Sequence, residues 1–244
     1  MLYSQVQEYY IPSDMTLDQT EIKRLIGKEA AQLVKTGMVV GLGSGTTATF
    51  FIESLVKQCQ EEGLEIQVVS SSTKSLSLAQ AGGIPTLDPQ EVTKVDIVID
   101  GADEVNPQGQ MIKGGGGALT REKIIASMGK QMIVIVDESK VVDHLGAFGL
   151  PIEFLEVGVA STIAKLKALS YRGKIRTNNE GSYYRTDNKN LIFDIDHPKQ
   201  FLDPKKDHQQ IITIPGVLET GLFFDLPVKV LVGYADGTVK FREE

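Results

Sequence analysis

MVVGLGSGTTATF (38–50) sets the reading of this chain: a short apolar run breaks into glycine and hydroxyl residues, then passes straight into helix-like spacing. Three further stretches repeat that grammar. IQVV (66–69) leads into SSST, VDIVI (95–99) into DGADE, and MIVIV (132–136) into DESK. Runs that are apolar at every position suit strands buried on both faces, and segments 48–62, 74–81 and 118–130 between them have helical spacing. Such alternation predicts an α/β fold with an open, doubly wound (Rossmann-like), mainly parallel sheet. One more helix, over 17–36, follows from the spacing of Ile22, Leu25, Ile26, Ala30, Leu33 and Val34.

The pattern changes near Leu150. PIEFLEV (151–157) reads as a strand, 161–169 as a helix, 174–176 and 191–195 as strands, 204–212 as a helix and 221–224 as a last strand. That order, β-α-β-β-α-β, is the ferredoxin-like pattern. The tail VKVLVGYADGTVKF (228–241) reads as a hairpin turned at Asp236-Gly237, and we expect it to rejoin the first sheet. The expected domains are therefore 1–148 with 225–244, a catalytic α/β domain, and 149–224, an inserted α+β ferredoxin-like domain.

Composition narrows the function classes. The net charge of −7, from 25 bases and 32 acids with no long run of either sign, argues against a nucleic-acid surface. Apolar runs are strand-sized, too short to span a bilayer, and MLYSQVQEYYIPSDM (1–15) lacks the basic and apolar regions of a signal peptide. Cys59, the single cysteine, excludes an intrachain disulfide and a cysteine-rich metal site. It lies mid-helix among charges in VKQCQEEG, a poor setting for a catalytic thiol. The expectation is a cytoplasmic protein without nucleic-acid or membrane partners.

Ligands of open parallel sheets bind at the carboxyl ends of the strands, and here each such end carries unusual sequence. In GLGSGTTA (41–48), glycines permit close backbone approach, and a helix starting near Thr46 offers free N–H groups to a phosphate. The pattern is neither a dinucleotide fingerprint nor a P-loop. A plain glycine-rich turn competes with the phosphate reading, which the hydroxyls of Ser44, Thr46 and Thr47 favour. SSST (70–73) supplies either a second set of ligand hydroxyls or local structure.

DGADE (100–104) sets Asp100 and Asp103 on one turn, where carboxylates bind a metal, orient sugar hydroxyls or cap the turn. The three histidines, His144, His197 and His208, form no ligand-spaced pair, so hydroxyl recognition ranks above metal and no metal is expected. KGGGGALTREK (113–123) carries four glycines that cost entropy to order, so the competing reading is a flexible linker. Ordered, they would bring backbone N–H groups to a substrate oxygen, with Lys113 adding positive charge. At about 100° per residue, Ala118, Leu119, Ile125, Ala126 and Gly129 fall within about 60° of Glu122. That places the glutamate on an inward stripe, where partial burial suits a general base or acid; the alternative is an acid favouring the helix dipole. Lys140, after the fourth strand, either completes an anion site or is a surface lysine, and Lys23 has no special standing from spacing.

Taken in order and spacing, GLGSGTTA, SSST, DGADEV, KGGGGALTREK, VDESK and IPGVLETGLF (214–223) resemble the ribose-5-phosphate isomerase type A family. The likeness runs from about Asp18 onward. It implies interconversion of D-ribose 5-phosphate and D-ribulose 5-phosphate through an enediolate, in the pentose phosphate pathway, with no metal or cofactor. A homodimer or homotetramer is implied as well. The resemblance puts Glu122 at the catalytic glutamate, with Lys113, Asp100 and Asp103 beside it. Lys23, Ser44, Gly45, Thr46, Thr47, Gly101, Ala102, Gly114, Gly115, Gly116 and Lys140 take substrate-binding positions. Gly117 stands where some members have alanine, and roughly the first 17 residues have no counterpart. The rival expectations are a CoA transferase with a glutamate nucleophile, a sugar-phosphate deaminase on a related scaffold, and a non-catalytic sugar-phosphate sensor.

Overall fold

A computed structural model describes residues 17–196 and 200–242. The N-terminal extension, with the signal-peptide question it raises, and His197 lie outside the described residues. The chain runs α1 (Gln19–Ala31), β1 (Val39–Leu42), α2 (Gly45–Glu61), β2 (Gln67–Ser70), α3 (Thr73–Ala81) and β3 (Ile97–Asp100). Two short strands, β4 (Glu104–Val105) and β5 (Met111–Ile112), precede α4 (Leu119–Met128) and β6 (Met132–Asp137). Next come β7 (Leu150–Phe154), α5 (Val159–Ala168), β8 (Gly173–Ile175), β9 (Leu191–Ile195), α6 (Pro204–Ile212), β10 (Val217–Thr220) and β11 (Leu222–Phe223). A hairpin of β12 (Val228–Gly233) and β13 (Val239–Phe241) completes the order.

Two compact units result. The first holds the described residues up to Gly101, Met128–Val141 and those from Pro227 onward. Its sheet has the order β13-β12-β6-β3-β1-β2, parallel throughout except for the antiparallel β13. Burial on both faces explains the continuous apolar runs: all six residues of β6 are buried. Ile26 of α1, Leu42, Phe51, Leu55, Ile99 and Ile135 are among the core. Asp18 starts α1 by accepting the Glu21 N–H at 2.9 Å, a cap worth about 1 kcal/mol. The chain leaves β1 for β2 on one side and returns to β3 on the other. The topological switch point therefore lies between β1 and β3, where Leu42 pairs with Ile99.

The second unit holds Ala102–Ser127 and Val142–Leu226. Its antiparallel sheet has the order β10-β7-β9-β8, which for a β-α-β-β-α-β chain is the ferredoxin-like arrangement. Phe154, Phe193, Leu166 and Ile211 fill its core. Separately, β4, β5 and β11 form a small antiparallel sheet. The α/β class with a mainly parallel sheet and a separate antiparallel one is thus as the sequence leads one to expect.

Two details differ from expectation. The last ferredoxin-like strand is β10 at 217–220, whereas 222–223 pair with β5 instead. Gly221 makes the break: its N–H donates to the Pro151 carbonyl, and its own carbonyl receives the Lys113 N–H. Residues 102–127 and 142–148 also fall in the second unit rather than with the parallel sheet. The small sheet ties β4 and β5 to β11, and the buried Glu104 carboxylate accepts the N–H groups of Gly146 (2.6 Å) and Phe148 (2.7 Å). Among the described residues no helix is long and apolar enough to cross a membrane.

Candidate active site

In the first unit, Asp100 closes β3 and is buried. Its Oδ1 accepts the N–H of Ser44 at 3.0 Å and of Gly101 at 2.8 Å, which ties the end of β3 to the start of α2. Gly43 makes room for it, since a Cβ there would stand 2.0 Å from Asp100 Oδ1. Ser44 is the N-cap of α2, followed by exposed Gly45 and Thr46 and a half-buried Thr47. The first-turn N–H groups of a helix have no intrahelical acceptors, so this end of α2 offers donors, threonine hydroxyls and a favourable dipole to an anion. Gly43→Ala should therefore lower stability by about 1–3 kcal/mol by displacing the Asp100 carboxylate. A urea titration checks this; an unchanged midpoint would show that the carboxylate moves without cost.

The serines of 70–73 serve the fold. Ser71 Oγ donates to the Leu42 carbonyl at 3.0 Å and Ser70 Oγ to the Ser72 carbonyl at 2.9 Å. Ser72 caps α3, and Ser75 Oγ donates to the Gly43 carbonyl at 2.7 Å. These hydroxyls brace the loop from behind. Lys23 stands half-exposed on α1, and Lys140 half-exposed in a 3-10 turn that follows β6.

In the second unit, Lys113 follows β5 and Glu122 lies in the first turns of α4. Both side chains are almost fully withdrawn from water, 3% and 4% exposed, and Lys113 Nζ is 3.6 Å from Glu122 Oε2. Glu122 shares the buried stripe of α4 with Leu119, Ile125 and Ala126, the side that helical spacing assigns it. Lys113 Nζ also stands 5.6 Å from the centroid of the Phe223 ring. Burying two opposite charges is costly unless they face each other, so the pair is a deliberate feature of the site.

The glycine run is ordered. Gly114 and Gly117 have φ of +105° and +82°, which explains the residue type there. Arg176 Nη1 donates to the carbonyls of Gly114 (2.9 Å) and Gly115 (3.0 Å), and the Tyr184 hydroxyl donates to that of Gly116 (3.1 Å). Half-exposed Asp103 accepts the Gly115 N–H through Oδ2 at 2.7 Å, which links the DGADE turn to the glycine run. Ala102, half-exposed, precedes it. Arg176, Tyr184, Phe223 and the buried Glu104 are residues that sequence reasoning does not single out. Of these, Glu104 and Phe223 at least fall inside quoted motifs. Among the described residues no group of three or more histidine, cysteine, aspartate or glutamate side chains is placed to hold a metal ion.

A carboxylate and an ammonium side by side, next to a loop of backbone donors, can move a proton and stabilise the oxyanion that results. The class so defined is an α/β enzyme for acid–base chemistry. The family model described as ribose 5-phosphate isomerase A (phosphoriboisomerase A) matches residues 67–237. Ribose-5-phosphate isomerase A of Protochlamydia amoebophila is 45% identical over 218 residues, covering 89% of this chain and 94% of the relative. The Chlamydia muridarum protein of the same name is 46% identical over 226 residues, covering 93% and 94%. Among solved structures, ribose 5-phosphate isomerase A from Methanocaldococcus jannaschii superposes with a TM-score of 0.86 at 36% identity, covering 93% of this chain and 100% of that one. A D-ribose-5-phosphate isomerase in complex with phospho-erythronic acid gives 0.88 at 35% identity, with the same coverage. The chain belongs to the ribose 5-phosphate isomerase A family.

Proposed function

We propose that this protein interconverts D-ribose 5-phosphate and D-ribulose 5-phosphate, with Glu122 as the base. The observation that carries the proposal is the buried Glu122–Lys113 pair beside the ordered glycine run, in a chain of this family. The Glu122 carboxylate takes the proton from carbon 2 of the open-chain aldose, and the electron pair moves into the carbonyl at carbon 1. The protonated Glu122 then returns its proton to carbon 1, while the proton of the carbon 2 hydroxyl passes to the oxygen on carbon 1, which leaves a hydroxyl on carbon 1 and the ketone at carbon 2. A carbon acid is far weaker than a carboxylic acid, so the developing oxyanion needs donors already in place. Lys113 and the N–H groups of Gly114 and Gly116 fill that role in the proposal, the Gly115 N–H being held by Asp103.

Asp100 and Asp103 orient hydroxyls and assist ring opening, with Gly101 and Ala102 shaping their turn. Ser44, Gly45, Thr46, Thr47, Lys23 and Lys140 hold the phosphate, whose binding energy fixes the reacting carbons. The solved relative in complex with phospho-erythronic acid supports a phosphorylated sugar acid or sugar as the ligand class. The proposal extends to a cytoplasmic homodimer or homotetramer in the pentose phosphate pathway, needing no metal or cofactor and engaging no nucleic acid or membrane.

The test is direct. Purified, chelator-treated protein incubated with ribose 5-phosphate should yield ribulose 5-phosphate without CoA. No ketose, with a covalent glutamyl–CoA adduct or with binding alone, would transfer the chain to the transferase or sensor reading.

A further inference from the structure

Building on the isomerase reading above, we propose that Arg176 is a positioning residue for the proton-transfer step, one that holds the Gly116 N–H aimed at the developing oxyanion. Arg176 follows β8 in the ferredoxin-like unit, and its side chain is 15% exposed. Asp194 on β9 grips one edge of its guanidinium: Nε to Oδ2 is 2.8 Å and Nη2 to Oδ1 is 2.5 Å. A bidentate pair of this kind fixes the plane of the group as well as its position. The remaining nitrogen, Nη1, then donates to two successive carbonyls, those of Gly114 and Gly115.

Peptide geometry turns that clamp into an aim. The peptides of the glycine run are trans, so the N–H of each points opposite to its carbonyl. Two carbonyls held toward Arg176 send two N–H groups, of Gly115 and Gly116, away from it. The first shows where that direction leads, since the Gly115 N–H ends on Asp103 Oδ2 at 2.7 Å. The second, from Gly116, emerges from the next peptide. Tyr184 secures the following carbonyl, that of Gly116, and its ring lies 5.8 Å from the Arg176 guanidinium carbon. Burial pushes the Tyr184 phenol above its ordinary range, which keeps it a donor.

Consecutive glycines have the widest choice of backbone conformations, so an unclamped run would have to reorganise as charge develops. A cation on the carbonyl side also polarises each amide and strengthens its N–H as a donor. Arg176 thus supplies preorganisation without touching substrate. Lysine cannot replace it, because one ammonium cannot hold both Asp194 oxygens and both glycine carbonyls in a plane.

The experiment compares the parent enzyme with Arg176→Lys and Arg176→Met on ribose 5-phosphate. Both variants should lose about 10- to 100-fold in kcat with KM within about threefold of the parent, as for one weakened oxyanion donor. The kinetic isotope effect with substrate deuterated at carbon 2 should rise as proton transfer becomes slower. Inhibition by phospho-erythronic acid, whose carboxylate resembles the enediolate oxygens, should weaken about tenfold or more, with inhibition by inorganic phosphate unchanged. A merely structural role would reduce the active fraction and move neither the isotope effect nor that affinity ratio. Variants with kcat within threefold of the parent, or with lowered kcat but an unmoved isotope effect and affinity ratio, overturn the inference. Should Arg176→Met not fold, Arg176→Lys decides by the same readouts. A parent inactive on ribose 5-phosphate overturns the isomerase reading and this inference with it, whereas an active parent with unaffected variants overturns this inference alone.

Discussion

Glu122→Gln should lower kcat by about 10³- to 10⁴-fold while leaving substrate affinity within about threefold. Glutamine keeps the shape and the place on α4, between Leu119 and Ile125 on the buried stripe, but its amide cannot accept a proton at any working pH. The loss should therefore fall on the chemical step. Substrate binding rests on other groups in the proposal, so affinity should survive. Two measurements separate the chemistry from a damaged fold: a melting curve, because Lys113 loses the charge that faces it, and exchange of the carbon-bound proton with deuterated solvent. Exchange should vanish with turnover. Near-normal turnover in a folded variant would remove Glu122 from the base role.

Lys113→Ala should depress kcat by about 10²- to 10³-fold and raise KM as well. The ammonium sits 3.6 Å from the carboxylate and 5.6 Å from the Phe223 ring, so it is held in place before substrate arrives. Preorganised charge of this kind stabilises an enediolate more than it stabilises a neutral carbonyl, which is why the loss should appear in kcat. In the proposal both residues serve one step, so the double variant Lys113→Ala, Glu122→Gln should be little worse than Glu122→Gln alone. An unchanged kcat with raised KM would reduce Lys113 to a substrate anchor. Full additivity in the cycle would argue that the two act independently.

Much of this was legible in advance because it is local. Period and composition mark β1, β2, β3 and β6, since a strand buried on both faces over most of its length is mainly apolar. The 3.6-residue helical repeat alone puts Glu122 on the inner side of α4. Where local signal is weak, reading along the chain fails. Strands β4, β5 and β11 have two residues each, too few for any period, and they exist because they pair with one another. The sequence leaves the hydroxyls of 70–73 open between ligand groups and local structure, and the acceptors of Ser70 and Ser71, the carbonyls of Ser72 and Leu42, come from the fold.

The amino-acid sequence by itself determined the kind of the longer elements, the order of the motifs at the strand ends and the family they resemble. Each of these depends on residue type and short-range spacing. Tertiary structure alone decided that Lys113 faces Glu122, that Asp103 meets Gly115, and that Arg176 and Tyr184 reach the glycine carbonyls from 62 and 68 positions away. Contacts at such separations are set by how sheets and helices pack, and chain periodicity carries no record of them.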